Sequence, residues 1–375
     1  MRAPMNNGWF IGLIAQIHTK KQHPVPLVMS LPVKDDTLGS PKFARRPPIH
    51  KIKAELELSL AFVFASILGN YSRLALTTLT DYPGAYVEGP TILWSNIAAC
   101  FIMGLMQIIY RYKVISPLLF TAITTGYCGS LSSFSSLMVE LFEHSADQLQ
   151  SNVESYPNNG YAIMEFLAVL FVQLLACMCS HIFGLFVAKE LALSFKDFES
   201  KELSLPARRV RHGFDIIEKI VMALALPVLV VQIVLAGVYG NFSRYWTLSA
   251  IFAFPGTQLR YGLSKWLNPT LKYFPLGTFA ANVFGSLVLA ILTLVSRGKS
   301  QDGSYIVAPG STAQTVVIAL GNGFCGCLTT ISTFINECHR LSLSRVVIYY
   351  FCSIFFSFCL VVVTLGSYAW TRGIA

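Results

Sequence analysis

Gly323-Phe324-Cys325-Gly326-Cys327-Leu328-Thr329-Thr330-Ile331-Ser332-Thr333-Phe334 lies inside an apolar segment, yet it carries two glycines and four hydroxyl side chains in twelve residues. Glycine and consecutive β-branched threonines weaken a helix, so a segment that only filled a bilayer would not concentrate them. An earlier stretch, Gly126-Tyr127-Cys128-Gly129-Ser130-Leu131-Ser132-Ser133-Phe134-Ser135-Ser136-Leu137, repeats the pattern. Non-helical backbone at bilayer depth is tolerated only where it is buried in protein or lines a cavity. Two such segments predict two half-sites for a small polar species. Freed carbonyls suit a small hard cation, and freed N–H groups and hydroxyls suit an anion.

Composition sets the class. The 375 residues are 54% apolar and 13% charged, where a soluble domain carries about a quarter charged residues. Apolar runs of about twenty residues recur, each long enough to cross a bilayer as a helix. The expectation is an all-α polytopic membrane protein, and the net charge of +9 reads as basic segments held on the cytoplasmic side rather than as a nucleic-acid footprint. The nine cysteines, Cys100, Cys128, Cys177, Cys179, Cys325, Cys327, Cys338, Cys352 and Cys359, form no CxxC pair and read as small packing residues. The chain has no HExxH, no GxSxG and no pair of intramembrane aspartates, which argues against an enzyme.

Residues 1–54, rich in proline and clustered bases, read as a disordered basic cytoplasmic tail. A first four-helix repeat is expected over 55–190, with spans near 55–79 (holding Gly69-Asn70-Tyr71-Ser72-Arg73), 90–110 (holding Asn96), 116–142 and 161–188. A cytoplasmic linker and a linking transmembrane helix follow over 191–236, then a second repeat over 237–375. In that repeat Gly240-Asn241-Phe242-Ser243-Arg244 echoes Gly69 to Arg73, Asn282 echoes Asn96, and Glu337 echoes Glu140. Motifs recurring in one order mark an internal duplication. The apolar run 214–254 is nearly twice the length one span needs. If it crosses twice, Arg260, Lys265, Lys272, Arg340 and Arg345 face the cytoplasm, as the positive-inside rule prefers. That gives about nine helices and an inverted second repeat, with the site at the repeat interface.

Arg73 and Arg244 are intramembrane charges and so functional candidates, although each could also snorkel or cap a helix end. Asn96 and Asn282 could be interhelical packing glue or could offer an NH₂ to an anion. In the last helix Ser353 and Ser357 are four apart and share a face, set among Phe351, Phe355, Phe356 and Phe358. The fourth helix carries a less regular track of Gln173, Cys177, Ser180 and His181. Glu140 and Glu337, at segment ends, read as interfacial caps or pairing partners.

At these residues the chain resembles the fluoride channel/exporter family, and specifically its eukaryotic fluoride export proteins of fungal type. The resemblance rests on the paired Gly-x-x-x-Arg helices, on Leu276-Gly277-Thr278-Phe279-Ala280-Ala281-Asn282-Val283-Phe284-Gly285 and on the 323–334 motif, and it covers roughly 55–375. It implies passive, selective F⁻ export across the plasma membrane by a single chain that is an internal pseudo-dimer. The partners are then fluoride and the lipid bilayer, with no nucleic acid, and the N-terminus is cytoplasmic. It implies a structural Na⁺ on backbone carbonyls, at the positions of Gly129, Ser132, Gly326 and Thr329. The family's two pore phenylalanines, three apart, are each half kept here: Phe134 stands with Leu137, and Ile331 with Phe334. The expectation is one surviving pore using Phe134, Phe334, Asn282, Ser353 and Ser357, with Thr330 and Asn96 nearby. The alternative is a secondary transporter of a small organic cation or metabolite. That would want a membrane carboxylate couple, and Glu165 and Glu218 have no matching copies.

Overall fold

The computed structural model describes residues 48–87, 89–148, 156–193, 205–238, 242–299, 306–308 and 310–374. The expected tail lies outside the described residues up to position 47, as do 194–204 of the linker and Gly240-Asn241 of the second Gly-Asn-x-Ser-Arg stretch. The chain forms two units, 1–51 and 52–375, and the second is described below.

The first repeat opens with α1 (Pro48–Thr80) and α2 (Leu93–Arg111). Its third segment is interrupted: α3 (Pro117–Thr121), a π-helical turn (Ala122–Cys128), α4 (Gly129–Leu131) and α5 (Phe134–Ser145). Then come α6 (Asn159–Leu193) and α7 (Leu205–Val238). The second repeat runs through α8 (Phe242–Leu267), α9 (Leu276–Arg297) and another interrupted segment: α10 (Ser311–Leu320), a π turn (Gly321–Cys325), α11 (Gly326–Leu328) and α12 (Ser332–Arg340). It closes with α13 (Leu343–Val361), a third π turn (Val362–Gly366) and α14 (Ser367–Thr371).

The molecule is a multi-pass membrane protein. Six segments are long and apolar enough to cross a membrane: Leu93–Arg111, Asn159–Ala192, Leu205–Val238, Leu276–Arg297, Ser311–Arg340 and Leu343–Thr371. Three more of membrane length, α1, the interrupted α3 to α5 and α8, are diluted by Arg73, by the hydroxyl-rich break and by Arg260. Among the described residues this makes nine, the number expected from charge and length. The long apolar run is indeed divided, between α7 and α8.

Local chemistry explains the interruptions. Ser116 caps α3 by accepting the Leu119 N–H at 3.0 Å, with Pro117 at the first helical position. The first two π turns widen the helix just before each break. Ser132 (φ −94°, ψ 150°), Ser133 (φ −140°, ψ 120°) and Thr329 (φ −93°, ψ 156°) then leave the helix for extended backbone. Helix contact is closest where side chains are absent. A Cβ on Gly104 of α2 would strike the His181 carbonyl, and one on Gly184 of α6 the Phe101 carbonyl, so these two helices touch backbone to backbone, as small residues allow in membranes. The linking helix α7 is tied to the first repeat by Tyr71, whose hydroxyl donates to Gln232 at 2.5 Å, and by Ser116, which donates to Glu218.

Candidate ion pathway at the repeat junction

The two breaks meet, and their contacts are reciprocal. In each, the residue that leaves the helix bonds back through its hydroxyl: Ser132 to the Cys128 carbonyl and Thr329 to the Cys325 carbonyl, both at 3.0 Å. Each of these hydroxyls also accepts a backbone N–H from the other repeat, Ser132 from Ser332 and Thr329 from Ser135, both at 3.1 Å. Hydroxyls close the seam, with Ser132 3.1 Å from Ser332 and 3.2 Å from Thr330. Ser130, Ser132, Ser133, Ser135, Thr329, Thr330 and Ser332 are all fully buried. Burying so many polar groups is costly unless they bond one another, and here they do. Thr330, expected beside the ion path, has its hydroxyl in this seam.

Two buried arginines stitch the seam, and they are Arg73 and Arg260. Arg73 donates to the Ser130 carbonyl of its own repeat and to the Asn322 carbonyl of the other. Arg260 donates to the Cys327 carbonyl of its own repeat at 2.9 Å and to the Thr125 carbonyl of the other at 2.8 Å. Counted from the breaks these are matching positions. The glycines four residues earlier match as well: a Cβ on Gly69 would meet the Tyr127 carbonyl and Leu131 N–H, and one on Gly256 the Phe324 carbonyl and Leu328 N–H. The sequence expectation for Arg244 is therefore corrected. Gly256-Thr257-Gln258-Leu259-Arg260 occupies the place of Gly69-Asn70-Tyr71-Ser72-Arg73, because its glycine meets the broken segment at the matching atoms and its arginine bonds the matching carbonyls. Arg244 is half-buried in the first turns of α8.

Asn96 and Asn282 also play matching parts. Asn96 accepts the Ser133 N–H and Asn282 the Thr330 N–H, both at 2.9 Å. The Asn282 NH₂ donates to the Thr330 carbonyl at 3.2 Å, and that of Asn96 to Gln173 at 3.4 Å. Each amide oxygen is thus committed to a break N–H, and one hydrogen of each NH₂ to a protein partner. Glu140 accepts from Thr91 at 2.7 Å and from the Ile92 N–H at 3.1 Å, holding the start of α2. Glu337 accepts from Thr278 at 2.8 Å at the start of α9 and from the Tyr349 hydroxyl at 2.9 Å.

The two remaining tracks differ sharply. On α13 the buried face is Tyr349, Ser353, Ser357 and Val361, one residue per turn. The Ser353 and Ser357 hydroxyls are fully buried and have no hydrogen-bond partner among the described residues. Membrane-helix hydroxyls ordinarily back-bond to the carbonyl four residues earlier, as Ser286 does to Asn282 at 2.8 Å. Beside this face Phe334 packs on Tyr349 and Tyr350, with ring centroids 4.8 and 4.9 Å apart. Phe134 meets Phe334 edge to face at 5.6 Å, so the one phenylalanine kept from each copy is brought to the same place. On α6 the matching face is Val169, Gln173, Cys177 and His181, all buried, and Gln173 is bonded to Asn96.

Gly129, Ser132, Gly326 and Thr329, the expected carbonyl ligands of a cation, are buried together at the junction. The arginines take the carbonyls of Ser130, Asn322, Cys327 and Thr125, which are none of those four. Among the described residues no group of His, Cys, Asp or Glu side chains could hold a metal ion, so a cation here would rest on backbone and hydroxyl oxygens. Sequence reasoning missed the role of Arg260. The available signal was a Gly-x-x-x-Arg spacing inside the next apolar helix.

Comparison with known proteins agrees with this duplicated geometry. The family described as CrcB-like protein, Camphor Resistance (CrcB), matches twice, over 60–185 and 247–366. The second match begins after Arg244 and includes Arg260. The chain is 41% identical over 361 residues to Fluoride export protein 1 of Saccharomyces cerevisiae, covering 87% of this chain and 96% of that one. It is 37% identical over 329 residues to Fluoride export protein 1 of Candida albicans, covering 84% and 80%. A single-unit relative, Fluoride-specific ion channel FluC 1 of Symbiobacterium thermophilum, is 34% identical over 97 residues, covering 25% of this chain and 70% of that one. No solved structure matches. With two family matches in the order of its two broken segments, the chain belongs to the CrcB family, as a fusion of two units in one polypeptide.

Proposed function

We propose that the protein is a passive fluoride channel that exports F⁻ across the plasma membrane, and not an enzyme. The observation that carries this reading is the pair of buried, unpartnered hydroxyls of Ser353 and Ser357, facing inward one turn apart. A small, strongly hydrated anion needs hydrogen-bond donors to replace its water, and two free hydroxyls provide them without a fixed charge that would trap it. The ring edges of Phe134 and Phe334 carry partial positive charge and form an adjoining wall. Outward flow needs no ATP, because an interior-negative potential drives each anion by about 2.3 kcal/mol per 100 mV. The fungal and bacterial relatives named for fluoride support this choice of ion.

In this reading the repeats, 55–190 and 237–375, are inverted, with 191–236 linking them and the N-terminus in the cytoplasm. Nine crossings and the reciprocal junction support that orientation, as does the cytoplasmic charge it assigns to Arg260, Lys265, Lys272, Arg340 and Arg345. A structural Na⁺ is held by the carbonyls of Gly129, Ser132, Gly326 and Thr329, supported by their burial beside hydroxyl oxygens. One pore works, along α13. The other, along α6, is closed where Gln173 takes the Asn96 amide.

Fluoride efflux from liposomes holding the full chain tests the reading. Ser353→Ala and Ser357→Ala each lower efflux, and together they lower it by at least roughly tenfold, the effect of about 1.4 kcal/mol. Undiminished efflux in the double variant overturns the assignment.

A further inference from the structure

The two ends of the molecule carry different charges at matching positions. Arg111 follows Asn96 by the same interval as Arg297 follows Asn282, and Arg340 follows Glu337 as Glu143 follows Glu140. At one end the pair is Arg297 with Glu143, an ion pair between the repeats. At the other the matching pair is Arg111 with Arg340, two cations lining one cavity. The charge at one of the four positions is reversed, and among the described residues no Asp or Glu lines the space around the pair. Glu337, one turn before Arg340, is engaged by Thr278, Asn268 and Tyr349.

Around this pair α2, α6 and α12 enclose a cavity of about 250 Å³, lined by Gln107, Arg111, His181, Lys189, His339 and Arg340 among others, with no Asp or Glu among its lining residues. The rim is fixed by Arg340, which donates to Gln107 at 2.6 Å. Set back from the exposed arginines is His181, fully buried, its ring edge-on to His339 at 5.5 Å. Neither of its ring nitrogens makes a well-formed hydrogen bond, although the Cys100 backbone stands close. A buried polar group left in that state is destabilising, and so is a pair of like charges at the mouth of one cavity. One occupant relieves both. Farther along the same face of α6, Gln173 is held by Asn96.

We infer that this cavity is a binding site for a small inorganic anion, standing where the opposite end has the Glu143 carboxylate. The anion sits between the Arg111 and Arg340 guanidiniums, whose planar forks suit an oxyanion, and accepts an N–H from His181, which a neutral ring supplies. Lys189 adds charge at the opening. The site lies off the path along α13, so it stands whether or not that path carries fluoride.

Thermal unfolding of the full-length protein in detergent tests this, titrated with sodium phosphate or sodium chloride against sodium gluconate at equal ionic strength. A saturable rise in Tm with phosphate or chloride is expected, with none in gluconate, and whichever anion acts at the lower concentration gives the site's preference. Arg340→Glu sets a carboxylate opposite Arg111, as Glu143 stands opposite Arg297. It is expected to abolish the anion-dependent rise while unfolding no earlier than the unmodified protein in gluconate. Arg340→Gln and Arg111→Gln are expected to weaken the apparent affinity by roughly tenfold, about 1.4 kcal/mol, and they carry the comparison if the Glu variant does not fold. An unmodified protein that shows no saturable rise overturns the site, as does an unchanged rise in the Arg340 variants. Neither result bears on efflux in the Ser353 and Ser357 variants, so the two readings fail separately.

Discussion

Arg73 and Arg260 cross-brace the repeat junction: each bonds a carbonyl of its own break, Ser130 or Cys327, and a carbonyl of the opposite one, Asn322 or Thr125. Each also lies where a Cβ on the other repeat's glycine, Gly326 or Gly129, would stand. Neither repeat can place its broken helix without an arginine from the other. This explains why a duplicated unit becomes one body instead of two tethered ones.

Replacing either arginine with glutamine is expected to destabilise the protein by a similar amount. Each substitution orphans buried carbonyls, at about 1–3 kcal/mol apiece. Unfolding of Arg73→Gln and Arg260→Gln in detergent checks this, and a large loss in only one of them would contradict the reciprocal geometry.

Gly129→Ala and Gly326→Ala each drive a methyl group into a guanidinium held by two carbonyls, so that relieving the clash breaks those bonds. Overpacking of this kind costs about 1–3 kcal/mol. Gly237→Ala in α7 meets nothing within 4 Å and serves as the control, expected to be neutral or stabilising by up to about 1 kcal/mol.

Asn282→Ala and Asn96→Ala both remove the acceptor of a break N–H at 2.9 Å. Both are therefore expected to lower unfolding stability, by about 1–3 kcal/mol for the orphaned N–H. If Asn282 served the anion directly, its variant would lose efflux with stability unchanged, and paired efflux and unfolding measurements distinguish the two.

Gln173→Ala releases Asn96 on the α6 side and is expected to leave fluoride efflux undiminished, whereas Phe334→Ala strips the aromatic wall beside Tyr349 and Tyr350 and is expected to reduce it. Liposome flux at matched protein content reads both.

Much of this was legible in the chain. The breaks at 126–137 and 323–334 announce themselves, because glycine and hydroxyl residues are out of place in apolar runs. The excess length of 214–254 required a second crossing, and α7 and α8 supply it. The four-residue spacing of Ser353 and Ser357 placed them on one face, which is buried. The Asn282 amide was harder to read, since a donor inside a membrane helix looks the same in sequence whether it faces an ion or a peptide group of its own protein.

By itself the sequence determined the class, the duplication and the position of each break, because these follow from local polarity and periodicity that no partner can alter. Only the tertiary structure decided which arginine answers Arg73. Gly240 to Arg244 repeats more letters of the first motif, but matching letters do not fix which helix meets the break. What the junction requires is a glycine where two backbones touch and an arginine one turn later. Gly256 and Arg260 meet both conditions. The same holds for the orphaned hydroxyls on α13 and the bonded Gln173 on α6. Whether a polar side chain is free or spent depends on its neighbours in space, and those come from the other repeat as often as from its own.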